Sequence, residues 1–173
     1  MKSIKIILIS LLLLLSFQTK LFSEIRYVDF KYVLNESKAG KEAQIYLKKK
    51  LDNGIKNLKK KEKSIQDEEK KIIQQKKLIS PEEYKKQVTG LREKVSSLQI
   101  ERSTLLDSVA KQRSKARTEL LKNLNPIIKD YMKEKKIRLV LDKKSILLAD
   151  ESLSITKEIT DLLNKKLKSI KLN

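Results

Sequence analysis

Between Ser37 and Glu134 the apolar positions fall into two long helical rhythms separated by one break. In the first stretch they stand at Leu47, Leu51, Ile55, Leu58, Ile65, Ile72 and Ile79, with a seven-residue step from Leu51 onward. The companion row of that seam starts at Ile55 and then turns charged, at Glu62, Glu69 and Lys76. The second stretch carries Tyr84, Val88, Leu91, Val95, Leu98, Arg102, Leu105 and Val109 in steps of four and three, and only Arg102 is out of pattern. That rhythm is specific for a helix packing on a helix, while a tight two-stranded seam would want both rows apolar. The break is Leu78-Ile79-Ser80-Pro81. There Ser80 can cap a helix, Pro81 suits its first position and Glu83 completes a capping box. Helices are therefore predicted over Ser37–Ile79 and Pro81–Glu134, and so short a break turns them antiparallel. At 1.5 Å per residue each arm runs roughly 60–80 Å, too long to fold up into a globule.

The period changes at both ends of this hairpin. Ile25–Asp29 alternates and reads as a short strand, and Asn35 or Ser37 can cap the helix that follows. Past Ala116 the apolar positions widen (Leu120, Leu124, Ile127, Ile128, Tyr131), as expected where an arm meets a body, and Pro126 is predicted to kink the arm or loosen one turn. Ile137–Asp142 and Ser145–Leu148 read as two apolar strands, and Ser154-Ile155-Thr156 opens a last helix through Leu167 whose apolar residues share one face. The predicted fold class is α+β, mostly α: a small β body from residues 24–36 and 135–173, and a helical-hairpin arm from 37–134 with its tip near 78–83. Three strands of four or five residues cannot enclose a good core alone, and nearly continuous apolar strands want cover on both faces. The expectation is an oligomer whose body combines strands of several subunits, with the arms projecting to one side. Ile25, Tyr27, Val28, Ile137, Leu139, Val140, Leu141, Ile146 and Leu147 are the residues expected to build that body.

Composition narrows the function. Lys2 and Lys5, the apolar run Ile6–Phe17 and small Ser23 make residues 1–23 read as a secretory signal peptide cleaved near Ser23. The run is about 12 residues, below the roughly 20 needed to span a bilayer; an uncleaved anchor is the alternative. The rest of the chain keeps 38 basic against 22 acidic residues, a net +16, which predicts acidic partners. There is no Cys and no His, so the usual metal ligands and the commonest general base are missing. Three Gly leave no phosphate-cradling loop, and no spacing of Asp, Glu, Lys, Ser or Tyr suggests an active site. Neither catalysis nor a cofactor is expected.

The opening Tyr27-Val-Asp-Phe-Lys-Tyr-Val-Leu-Asn-Glu-Ser37-Lys-Ala-Gly40-Lys41 resembles the start of the Skp (OmpH) family of periplasmic chaperones. Leu-Ile-Ser80-Pro-Glu-Glu sits where that family has its arm tip, and Ser154-Ile-Thr-Lys-Glu-Ile-Thr-Asp-Leu-Leu163 resembles its Asp-Ile-Thr helix start, with Ser154 in place of Asp. Both residues can cap a helix, so no functional consequence is expected from that departure. The resemblance implies a homotrimer: a small β-barrel body and three hairpin arms around a cavity. It implies ATP-independent holding of unfolded outer-membrane proteins in the periplasm.

The residues fit such a role. Lys70, Lys71, Lys76, Lys77, Lys85 and Lys86 flank the tip, with Asp67, Glu68, Glu69, Glu82 and Glu83 among them, and are the candidate client-binding residues. Charge speeds capture, and dispersed contacts let many sequences bind. The charged seam positions Glu62, Glu69 and Lys76 are expected to leave the lower arms loosely packed. Anionic lipid or lipopolysaccharide is a further partner for the same lysines. The alternatives are a non-catalytic envelope scaffold that uses the hairpin as a strut, and a basic nucleic-acid binder. A signal peptide takes the chain away from nucleic acid, and Phe30 and five Tyr, unclustered, offer little stacking surface, so no physiological nucleic acid is expected.

Overall fold

The computed structural model describes residues 25–172; the expected signal peptide and its expected cleavage near Ser23 lie outside them. The elements are β1 (Ile25–Val28), α1 (Phe30–Glu36), α2 (Lys38–Gln75), α3 (Pro81–Glu134), β2 (Leu139–Asp142) and α4 (Thr156–Lys166), with single 3-10 turns at Lys143–Ser145 and Glu151–Leu153. β1 and β2 pair in parallel, Ile25 opposite Leu139 and Val28 opposite Asp142. Parallel neighbours need a long crossover, and here the entire hairpin is that crossover. At 1.5 Å per residue its helices run about 57 and 81 Å.

One apolar core fastens both ends of the hairpin. Val28 and Val33 arrive from before the arm; Leu120, Leu124, Ile127 and Ile128 come from the far part of α3, and Ile155, Ile159 and Leu163 from the start and face of α4. Leu124, Ile159, Leu163, Val28 and Val33 are fully buried. α4 is amphipathic as predicted, and its polar edge is also used: Asn164 Oδ1 accepts from the Lys38 N–H at 2.7 Å, tying α4 to the first turn of α2. The Ile155 N–H donates to the Tyr27 carbonyl at 2.9 Å, so the chain before α4 runs along the free side of β1.

The Ser37-Lys-Ala-Gly40 stretch has a mechanical reading. The Ser37 N–H closes the end of α1 on the Val33 carbonyl (3.1 Å), and the Ser37 hydroxyl accepts from the Gly40 N–H (3.2 Å) to open α2. One fully buried serine thus ends one helix and starts the next. The step is so sharp that a Cβ at position 40 would collide with the Leu34 backbone carbonyl.

Several local expectations are corrected. α1 is an extra helix, capped by Asp29, whose carboxylate accepts from the Tyr32 N–H at 2.8 Å. α2 stops at Gln75, short of Ile79, because the residue before a proline is pushed to extended backbone and the chain must turn before it. Ser80 caps α3 through the Glu83 N–H, but the Glu83 carboxylate accepts from Gln87 rather than closing the box back onto Ser80. Pro126, where a kink or a loosened turn is expected, lies inside α3 with helix on both sides of it, which leaves that expectation standing. Ser145–Leu148 is not a strand: a strand exists only against a partner, and among the described residues that segment has none. Its Ile146 is half-buried, and Leu147 and Leu148 stand 97% and 90% exposed. Ile155 holds the cap position of α4 without a side-chain bond of its own, and the Ser154 hydroxyl one residue earlier accepts from the Thr156 N–H at 3.4 Å, so Ser154 still serves the start of the helix. The same hydroxyl donates to Thr156 Oγ1 at 3.0 Å, which accepts from the Asp29 N–H at 2.9 Å.

Gly40→Ala gains up to about 1 kcal/mol of helix propensity, but overpacking against a fixed backbone carbonyl costs about 1–3 kcal/mol or more. The clash wins: the variant should lose stability by about 2 kcal/mol in a urea titration, and a midpoint unchanged or raised would contradict the tight step.

Candidate functional site

Two surfaces stand out, the arms and the open face of the body. Along the arms, α2 and α3 pack antiparallel. Leu58, Ile72, Leu98 and Val109 are buried in the seam, while Leu51, Ile65, Ile79, Tyr84, Val88, Leu91 and Leu105 are half-buried. Ile55 and Val95 are exposed although both belong to the apolar rows, so the seam is incomplete. At Gly54 the arms lie close: the Leu105 methyls occupy the place where its Cβ would be.

The two breaks in the apolar pattern meet each other. Arg102, the odd residue of the second arm, faces Glu62, the first charged residue of the other row, at 3.9 Å. Lys61–Glu101 and Lys94–Glu68 also bridge the arms, each at 2.6 Å. Between those two bridges an open cleft of about 270 Å³ runs past Ser64 and Ser97 down to Ile65 and Leu98. At the tip, Lys76 lies over the Tyr84 ring, 5.6 Å from its centre. Two of the three charged seam positions are therefore matched across the hairpin. Hidden in each arm alone, this pairing is recoverable by laying the two arms antiparallel about the turn.

Lys70 and Lys71 sit on the last turns of α2, Lys76 and Lys77 in the turn, and Lys85 and Lys86 near the start of α3; all six are exposed. Among the described residues none of the six forms an ion pair. Glu82 and Glu83 occupy the first turn of α3, where the helix dipole favours carboxylates, which gives them a structural reason to be there.

The residues expected to build an oligomer body divide into two sets. Tyr27, Val28 and Ile137 are buried within the chain, and half-buried Val140 packs against its core. Ile25 and Leu139, opposite each other in the sheet, are each 45% exposed; Leu141 is exposed beside them, and Leu147 almost completely. Ile146 lies half-buried between the two sets. Among the described residues β2 has one strand neighbour, β1, and its other edge is free.

Hydrogen bonding to Glu36 holds the Lys41 ammonium above its ordinary value, and Glu134 does the same for Lys135. The Ser152 backbone N–H, and then its hydroxyl, lower the Asp150 carboxyl. None of these groups lies in an enclosed pocket. The arrangement offers a long, mixed apolar and basic surface and an exposed apolar sheet face.

The sequence pattern of the family described as outer membrane protein (OmpH-like) matches residues 24–163. The chain belongs to the OmpH-like family. Comparison with curated proteins finds no match. Among solved structures, a Caulobacter crescentus CB15 protein described as a candidate outer membrane chaperone (OmpH-like) superposes with a TM-score of 0.81 at 19% identity. The match covers 87% of this chain and 89% of that one, and it establishes a common fold. Membership places the chain in a non-catalytic family of periplasmic chaperones for outer-membrane proteins, the general role that the opening, tip and closing motifs implied.

Exposed ion pairs contribute about 0.2–1 kcal/mol each. Replacing Glu62, Glu68 and Glu101 together by Gln should therefore speed amide exchange on the order of tenfold in residues 58–70 and 92–104, with no change around Leu124 and Leu163. Exchange that stays as slow in the mid-arm, or quickens equally in the body, would remove the clasp.

Proposed function

We propose that the protein is an ATP-independent holdase. In this reading three copies join through their β bodies, the arms project to one side, and an unfolded outer-membrane protein is held between them. The observation that carries it is the pairing of two unsatisfied surfaces on one chain. A sheet with Ile25, Leu139 and Leu141 exposed, and Leu147 exposed in the segment after it, wants another chain, and arms some 57 and 81 Å long carry tip lysines with no acidic partner. Family membership supports the client class.

The chemistry suits an unfolded β-barrel protein. Such a client shows alternating apolar residues with no fixed shape, so a fitted pocket would reject most of them. Incomplete seams, half-buried leucines and valines and a lysine-rich tip offer weak contact at many points. Lys70, Lys71, Lys76, Lys77, Lys85 and Lys86 supply long-range attraction, which acts on the rate of encounter more than on the final grip. Contact of the same lysines with anionic lipid or lipopolysaccharide is compatible with this role, because holding requires no single dedicated surface.

Dilution of a urea-unfolded outer-membrane β-barrel protein, followed by light scattering, tests the reading. A holdase suppresses scattering at about one trimer per client without ATP; a strut leaves the scattering unchanged. Gln at the six tip lysines should slow capture severalfold at low salt and far less at high salt, where the Debye length shrinks below about 5 Å. Equal slowing at both would remove charge from the mechanism.

A further inference from the structure

The segment after α4 turns back onto the root of the arm. Along it exposure alternates: Lys168 and Ser169 are exposed, Ile170 is half-buried, Lys171 is exposed and Leu172 is 4% exposed. Leu172 enters a groove between the two arm helices, walled by Ala43 and Leu47 of α2 and by Val109 and Ala116 of α3. The two alanines leave the room that one leucine fills.

The groove also holds main chain. Gln112 Nε2 donates to the Leu172 carbonyl at 2.6 Å. The Gln112 amide is oriented from its other end, because its Oε1 accepts from Lys50 Nζ at 3.0 Å and Lys50 also donates to Ser108 Oγ at 2.9 Å. With the oxygen taken, the NH₂ group is left to point at whatever backbone lies in the groove. The site thus recognises one apolar side chain and one carbonyl of a non-helical segment. Nothing in it requires the identity of the neighbouring residues.

We propose that this groove is a binding subsite for extended polypeptide with alternating apolar residues, and that residues 168–172 are its resident occupant, displaced by client. The inference rests on the holdase reading. Ile170-Lys171-Leu172 shows the same apolar-polar-apolar pattern as a strand of an unfolded outer-membrane barrel. The clasp is weak, a single leucine and a single carbonyl bond, but tethering gives it a high effective concentration. A free peptide therefore competes poorly, whereas a client already held by the arms competes on equal terms. The segment keeps the groove covered until a client is present.

The chain has no Cys, so Lys171→Cys accepts one nitroxide on an exposed position. The spectrum of the labelled mature protein should be ordered alone and become mobile when a urea-unfolded outer-membrane β-barrel protein is diluted in. A label at Lys165, on α4, should stay ordered throughout. In the full chain, Ile170→Ser with Leu172→Ser should free the Lys171 label without client. The same pair should tighten client binding about 5–10-fold, read from client tryptophan emission, since this chain has no Trp. A Lys171 label that stays ordered while scattering is still suppressed overturns the subsite and leaves the holdase standing. Loss of suppression in the unlabelled protein sinks both.

Discussion

The attachment of the hairpin at its root is the constraint on which the rest depends. α2 and α3 share a seam but have no interior, and a long helix in water draws its stability chiefly from the apolar face it buries. That burial is concentrated where Val28 and Val33, arriving before the arm, meet Leu124, Ile159 and Leu163, arriving after it. Because β1 and β2 are parallel neighbours, the hairpin enters and leaves the body through adjacent strands. The Ser37–Gly40 step, with no room for a Cβ beside Leu34, fixes the angle at which it leaves.

From that root outward, packing gives way to charge. Near the body the seam is leucine, valine and alanine; by mid-arm it is Ile65 and Leu98 below an open cleft, with bridges from Lys61 to Glu101 and from Glu68 to Lys94. At the tip the lysines outnumber their partners. The gradient runs from a surface that holds itself together to one that is available to something else. The proposed holding role uses this gradient as it stands, and it matches the general function of the OmpH-like family to which the chain belongs. The groove that Leu172 fills lies at the packed end, where an extended segment can be gripped by its side chain as well as by its backbone carbonyl.

Legibility in the sequence followed how local each signal was. Ser80-Pro81 placed the start of α3, because a cap and a first-turn proline act within four residues. The hairpin followed from apolar spacing sustained over many turns. α1 escaped notice because seven residues show no period, although Asp29 was there to cap it. Ile79 drew α2 too far, since a seven-residue step cannot register the constraint that Pro81 imposes on the turn. Ser145–Leu148 reads as a strand from its apolar run, yet a strand requires a neighbour and the described residues offer none. The meeting of Glu62 with Arg102 and the seating of Leu172 depend on pairing across about 40 and 60 residues, which no one-dimensional rhythm contains. Of the candidate residues, the lysines were legible as a class. The division of the strand residues into buried Val28 and Ile137 and exposed Ile25 and Leu139 needed the sheet register.

The central claim is that several copies enclose a hollow and that the client occupies it. Small-angle neutron scattering on the complex with a deuterated, urea-unfolded outer-membrane protein, in solvent that contrast-matches the chaperone, reads the client alone. The account predicts a client compacted well below its free unfolded radius, centred among the arms of a trimeric particle. A client that stays expanded and off-centre, or a chaperone that is monomeric under the same conditions, would contradict it.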